Sequence, residues 1–340
     1  MGAKNIRRRF LQRGHGISTL AVLLVVLSLW SCSRGDYSGK VQTLTIGATP
    51  IEGNTLIYVA DERGFFTNDG IRVVIKEYDT GVAAVNGLLK GEVGIALTME
   101  FVIVGKSLQK QDVLSLATID RSMIFYIIVR ADRRIKTTAD LKGKKIGVPR
   151  QTIMEFYLGR MLELNGLSIK QVTLVDTKAS DPAGAIAGGD VDAVITWEPY
   201  VTRIKQQMGS GVISWPAQNG QMAFWSMVSI PKWINEHPDL VRQFLKSLAQ
   251  AEVYIPLHPK EARAIVKKRL NYEDAYMAAI WPHHQFSLSL DQSLIAALED
   301  EARWMIKNDL TKERTIPDFT NAIHMEGLKA IRPDAVKIIR

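Results

Sequence analysis

The chain repeats itself. Gly91-Glu92-Val93-Gly94-Ile95-Ala96-Leu97-Thr98-Met99-Glu100 aligns with Gly189-Asp190-Val191-Asp192-Ala193-Val194-Ile195-Thr196-Trp197-Glu198 at an offset of 98 residues. Ile46-Gly47 aligns with Ile146-Gly147 at an offset of 100, and residues 73–80 match 172–177 in character. Three matches in one order at nearly one spacing point to two lobes of like construction.

Within each unit, short β-rich runs alternate with amphipathic stretches. Residues 44–48 read as a strand, 55–65 as a helix ending at Gly64, and 71–77 as a strand. Residues 82–89 read as a helix closed by Gly91, and 93–97 as a short buried strand. This order predicts an α/β fold of two open, mostly parallel sheets flanked by helices, with a hinge and a ligand cleft between them. The expected boundaries are 43–128 for the first part of lobe 1, 129–225 for lobe 2, and 226–340 for the completion of lobe 1 with C-terminal helices. The apolar run 125–130 reads as a crossover between the repeats. After about residue 225 the pattern turns helical. His237-Pro238-Asp239 opens one helix, Pro259-Lys260-Glu261 another, and Ser289-Leu290-Asp291 caps a third reaching Trp304.

Ligands of open α/β sheets bind beyond the carboxyl ends of the strands, so the loops there hold the candidate residues. The first such loop offers Pro50, Gly53 and Asn54, where glycine admits a close ligand and the next helix offers unpaired N–H groups. In the second, Thr80 and Gly81 precede a helix, and Thr80 can cap that helix or donate to a ligand oxygen. In the second unit Gln151 and Thr152 sit between strand and helix, where Thr152 and the N–H groups after it can hold an oxyanion and Arg150 can add charge or lie solvated. Trp197 offers a flat wall to a ring or alkyl chain. Glu198 can bind an amine or cap the next helix, and Glu100 occupies its position in the first unit. Arg121 and Ser122 precede the crossover, with an internal salt bridge as the competing role for Arg121. His283-His284 reads as a surface pair, since adjacent histidines share no helix face and no carboxylate stands beside them at ligand spacing. The other tryptophans read as core, Trp225 alone being near enough to the hinge to reach the cleft.

The amino terminus is of a different kind. Lys4, Arg7, Arg8, Arg9 and Arg13 stand among residues 1–31 with no acid, so five of the net +8 charges sit there and +3 on the rest. That remainder is too mild to argue for nucleic acid. The apolar run 17–30 is short for a membrane span and suits a signal peptide. It ends in Leu29-Trp30-Ser31-Cys32, which resembles a bacterial lipobox, and Arg7-Arg8-Arg9-Phe10-Leu11-Gln12 resembles a twin-arginine signal. The expectation is a signal over 1–31, lipidation at Cys32 and a tether over 32–42, with export to the periplasm or the outer face of the cytoplasmic membrane. Cys32 is the only cysteine, which excludes an intrachain disulfide and a cysteine-cluster metal site. With 46% hydrophobic and 23% charged residues, wholesale disorder is excluded too.

Several motifs carry a family resemblance. Ala60-Asp61-Glu62-Arg63-Gly64-Phe65-Phe66, Leu141-Lys142-Gly143-Lys144-Lys145-Ile146-Gly147-Val148-Pro149 and the stretch 189–200 resemble segments of periplasmic solute-binding proteins of the nitrate/sulfonate/taurine and thiamine-precursor group. Pro317-Asp318-Phe319 and residues 333–336 are in keeping. The resemblance implies a type II periplasmic binding fold hinged near 122–130 and 222–229. It implies ligand contact at Thr98, Met99 and Glu100, and capture of a small, anionic solute (sulfonate, nitrate or taurine) for an ABC permease and ATPase. It implies no catalysis, cofactor or metal, and a monomer is expected. A thiamine-precursor pyrimidine or other aromatic solute is the alternative, as is a ligand-sensing lipoprotein. An enzyme on this fold is disfavoured, because the related pyrimidine-precursor synthases carry a cysteine-rich motif and this chain has no cysteine after Cys32.

Overall fold

The computed structural model describes residues 40–339. The expected signal, Cys32 and most of the tether lie outside them. The first unit runs β1 (Gln42–Ala48), α1 (Thr55–Glu62), α2 (Phe65–Asn68), β2 (Ile71–Glu77), α3 (Gly81–Leu89), β3 (Ile95–Met99), α4 (Glu100–Leu108) and β4 (Leu114–Ser122). The second runs β5 (Phe125–Arg130), β6 (Lys145–Val148), α5 (Ile153–Leu164), β7 (Thr173–Asp176), α6 (Pro182–Ala187), β8 (Ala193–Trp197), α7 (Tyr200–Met208) and β9 (Val212–Pro216). The chain then adds β10 (Ala223–Ser229), α8 (Pro231–Glu236), α9 (Pro238–Leu257), α10 (Pro259–Leu270), α11 (Asp274–Ile280), β11 (His284–Asp291), α12 (Gln292–Lys307), α13 (Met325–Ile331) and β12 (Val336–Lys337).

These strands form two sheets, ordered β12-β11-β4-β10-β3-β1-β2 and β7-β6-β8-β5-β9. The internal repeat appears as register. Ile46 lies opposite Ile95 and Gly47 opposite Ala96, and Ile146 lies opposite Ala193 and Gly147 opposite Val194. Each unit therefore has a parallel trio with its first strand in the middle, β1 between β2 and β3 and β6 between β7 and β8, and an antiparallel strand beside its third: β10 beside β3, β5 beside β8. The sheets are mixed rather than mostly parallel, because that fourth strand arrives from the other side of the chain crossing. Strands β3, β8 and β10 are buried at every residue, which explains their unbroken apolar runs.

The crossings differ from the expected boundaries. Both β4 and β10 belong to the first sheet, whereas β5 and β9 belong to the second. The chain thus passes between sheets at 123–124 and 217–222, not at 128/129 and 225/226. The run 125–130 is a central strand of lobe 2. An apolar run announces burial but not which sheet buries it. The C-terminal region also holds more strand than its pattern suggested. Ser289 and Leu290 lie in β11, and Asp291 alone caps α12, accepting from the Ser293 N–H. Proline at the first position starts α8, α9 and α10, where its missing N–H costs nothing.

The lobes meet through helices as well as strands. Phe101 of α4, Phe156 of α5 and Trp304 of α12 pack with ring centroids 5.5–6.2 Å apart. Trp304 lies on Gly159, where a Cβ would stand 2.1 Å from its ring. Gly159→Ala is expected to cost about 1–3 kcal/mol by overpacking in urea unfolding. Gly105→Ala, on open helix surface in α4, is expected to be neutral or slightly stabilising.

Candidate functional site

The carboxyl ends of β1–β3 and of β6 and β8 face one narrow slot between the sheets, with a free volume of about 50 Å³. Lobe 1 contributes Thr49, Ile51, residues 79–82 at the start of α3, Thr98, Met99, Val102 and Trp225. Lobe 2 contributes Ile124, Phe125, Thr152, Ile153, Met154 and Trp197. The repeat is visible here too. Met99 ends β3 opposite Trp225 on β10, and Trp197 ends β8 opposite Phe125 on β5. Each lobe so offers the slot one cross-strand pair of large side chains.

The polar side chains of the wall are incompletely partnered. Thr49 Oγ1, Thr98 Oγ1 and Trp197 Nε1 are buried with no hydrogen-bond partner. Such groups are rare in proteins and costly unless something else satisfies them. Asp79, at the rim, is the only ionisable side chain lining the slot and has no hydrogen bond or ion pair among the described residues.

Of the residues expected from sequence, Thr80, Gly81, Thr98, Met99, Thr152 and Trp197 line the slot. Thr80 caps α3, accepting from the Ala83 N–H at 3.1 Å. A Cβ on Gly81 would stand 2.4 Å from Thr98 Oγ1 and 2.8 Å from Thr98 Cα, so only glycine lets this turn close against β3. Thr152 donates to the Pro149 carbonyl at 2.6 Å.

The remaining expected residues stand behind or beside the wall. Asn54 donates from Nδ2 to the Thr49 carbonyl (2.8 Å) and the Tyr58 hydroxyl (3.0 Å), while its Oδ1 accepts from Trp225 Nε1 at 2.8 Å. Gly53 lies beneath the same indole, 3.0 Å from it at the Cβ position. Both hold Trp225 rather than line the slot. Pro50 lines a neighbouring groove with Tyr78, Tyr200 and Arg203. Arg121 pairs with Asp291 at 3.4 Å, so the salt bridge is its role here. The carbonyl of Ser122 accepts from Gln218 Nε2 at 2.8 Å. The Gln151 N–H donates to Glu155 Oε2 at 2.8 Å, and Arg150 pairs with Glu155 Oε1 at 2.8 Å. Glu198 accepts from the Thr202 N–H at 3.0 Å, capping α7. Glu100 is fully buried and accepts from the Phe224 N–H at 3.0 Å.

Sequence reasoning missed Phe125, Ile124 and Met154. Phe125 could have been found only by knowing that β5 pairs with β8. It also misjudged His284, which is buried. His284 Nδ1 lies 2.7 Å from Asp120 Oδ2, and its other nitrogen is 3.6 Å from Glu52 Oε1. Tyr272 and Tyr276 donate to Glu52 at 3.2 and 3.1 Å. The carboxylate partners stand far off in sequence, so local spacing could not reveal them. Burial alone would push the His284 pKa down, but Asp120 and Glu52 outweigh it and hold it at about 10.

Two facing lobes with a slot at their strand ends define a two-lobed solute-binding architecture. Residues 51–262 match the family described as NMT1/THI5 like, and the chain belongs to that family. It is 23% identical over 279 residues to a formylaminopyrimidine-binding protein of Halalkalibacterium halodurans, covering 80% of this chain and 84% of the relative. Its fold is that of the alkanesulfonate-binding protein of Xanthomonas axonopodis pv. citri bound to MOPS, with TM-score 0.73, 18% identity, and 85% of this chain and all of that one covered. A desulfurization enzyme shares the fold, with TM-score 0.63, 18% identity and coverage of 86% and 99%.

Removing the histidine should expose the cost of the buried carboxylates. His284→Ala is expected to destabilise by about 3–5 kcal/mol, because Asp120 and Glu52 lose their cation. His283→Ala, on the surface, should stay within about 0.5 kcal/mol. Because the His284 pKa is raised, its contribution is complete below about pH 6.5 and is lost as pH rises through about 10. Chemical unfolding of both variants near neutral pH checks the pair.

Proposed function

We propose that the chain is the solute-binding component of an ABC importer and captures a small, flat, ring-bearing solute of pyrimidine type between its lobes. The observation that carries this reading is the wall itself. Trp197, Trp225 and Phe125 supply flat apolar faces and Met99 a thioether beside them, while Thr49 Oγ1, Thr98 Oγ1 and Trp197 Nε1 wait without partners. A heterocycle stacks on the first set and hydrogen-bonds the second. Asp79 suits an exocyclic amino group. The kinship with a formylaminopyrimidine-binding protein supports the same class.

Capture works as a population shift. The solute must bind the closed arrangement more tightly than the open one, and both lobes supply walls, so closure is where affinity arises. That mechanism uses no catalysis, and the reading is of a receptor rather than an enzyme. Export and acylation at Cys32 remain part of this reading on sequence grounds. Cys32→Ala is expected to move the protein from the membrane fraction to the soluble fraction of lysed cells.

A second reading, a sulfonate, nitrate or taurine anion, draws on the N-terminal turns of α3 and α5. Gly81 and Ile153 bring both to the slot. Asp79 opposes it. A thermal-shift panel separates the readings, because a ligand of the native state stabilises it by about 2.7 kcal/mol at a hundred times Kd. Aminopyrimidines are expected to raise the melting temperature. A response to taurine, alkanesulfonates or nitrate alone would transfer the assignment to anions, and silence across both sets would sink the receptor reading for these solutes. With the responding pyrimidine, Trp197→Ala and Trp225→Ala should each weaken binding by about 1–3 kcal/mol in titration calorimetry, the range for a base on an aromatic face.

A further inference from the structure

Directly behind the slot, three helices close on a carboxyl pair. Glu100, at the start of α4, and Glu301, on α12, are both fully buried and meet side chain to side chain. Glu100 Oε1 and both oxygens of Glu301 have no hydrogen-bond partner. The Tyr157 hydroxyl of α5 and Trp304 Nε1 are buried and unpartnered as well. Among the described residues, no lysine, arginine or histidine pairs with either carboxyl.

Two carboxylates in contact without a cation cannot both stay ionised away from water; at least one proton must be held between them. Burial pushes Glu100 up to about 8 against the opposing pull of the Phe224 N–H, and burial with the charge of Glu100 pushes Glu301 well above the ordinary range. The groups facing the pair do not relieve it. Helix α5 presents Tyr157, itself pushed up by burial. Helix α12 presents Asp300, which Arg160 of α5 approaches to 3.8 Å. Strand β10 presents the uncharged Phe224, and the link before it presents the uncharged Gln218, whose amide is engaged by the backbone of Ser122, Phe125 and Gln221. The turn Phe319–Ala322, packed on α4 and α12, carries no ionisable side chain.

The position gives this pair leverage. Glu100 directly follows Thr98 and Met99 of one wall and is tied to Phe224, the neighbour of Trp225 in the second. Tyr157 lies one turn after Ile153 and Met154 of the third. We infer that Glu100 and Glu301 take up a proton when the two lobes close, so that capture of solute is proton-linked. This rests on the two-lobed receptor reading. Parting α5 from α4 and α12 would admit water, return the carboxyls toward their ordinary range and release the proton. Closure is therefore favoured at low pH and weakens as pH rises from the ordinary carboxylate range through about 8, by up to about tenfold per pH unit for each proton.

The test needs no solute. Infrared difference spectra of the mature protein report protonated carboxyl groups, and small-angle scattering reports lobe separation, each at about pH 5.5 and 8.5. A protonated carboxyl band that weakens at the higher pH, together with a larger radius of gyration there, is the expected result. Glu301→Gln supplies a permanent N–H donor to Glu100, so it should remove that band and keep the radius constant between the two pH values. If this variant does not fold, Glu100→Gln serves in its place, its amide donating to Glu301 while its carbonyl oxygen still accepts from the Phe224 N–H. The inference is overturned if wild type lacks the band at about pH 5.5, if the band weakens while the radius stays fixed, or if the folded variant keeps the full pH response. Loss of pyrimidine binding in the thermal-shift panel would leave these readouts untouched, so the two readings fail separately.

Discussion

Everything at the slot depends on the complete burial of two strands. Strands β3 and β8 are covered on both faces, so their side chains can meet the other lobe only where each strand ends. Equal register in the two units brings those ends to equivalent positions, and the antiparallel neighbours β10 and β5 add a large aromatic beside each. Two copies of one sheet end, turned toward each other, make a lined gap.

The polar residues around this gap divide by task. Those with protein partners fix the geometry. Asn54 spends both ends of its amide on Thr49, Tyr58 and the Trp225 indole, which sets that ring in place. Thr80 and Glu198 are occupied with helix ends. Those without partners (Thr49, Thr98 and the Trp197 indole) are the ones that the proposed reading gives to the solute. A site can be rigid and still hungry only if different side chains carry the two roles.

The same division explains what the sequence could tell. The repeat, the alternation of strand and helix, and the loops at the strand ends were legible because each is a local pattern. Glu100 and Glu198 occupy one position of the repeat, yet one is sealed at a helix junction and the other caps a surface helix. Pattern assigns position, whereas environment assigns chemistry. Phe125 and Trp225 reach the slot by strand pairing, and His284 meets Asp120 across 164 residues, so no window of sequence contains those facts. The chain crossings escaped for the same reason, since β5 and β10 read alike and belong to different sheets.

The two crossings have a consequence for how the molecule comes into being. Ser122 and Ala223 lie opposite each other where β4 pairs with β10, so the whole of lobe 2 departs from and returns to one spot on the first sheet. Lobe 2 is contiguous and can assemble from its own stretch of chain. Lobe 1 cannot, because β10 stands between β3 and β4 and is made roughly a hundred residues after β4, at the loop-closure cost of so long an excursion. The indole of Trp225 arrives with that late strand. A chain still emerging, or one cut short before β10, would own all of lobe 2, less than half of lobe 1 and no place to hold a solute.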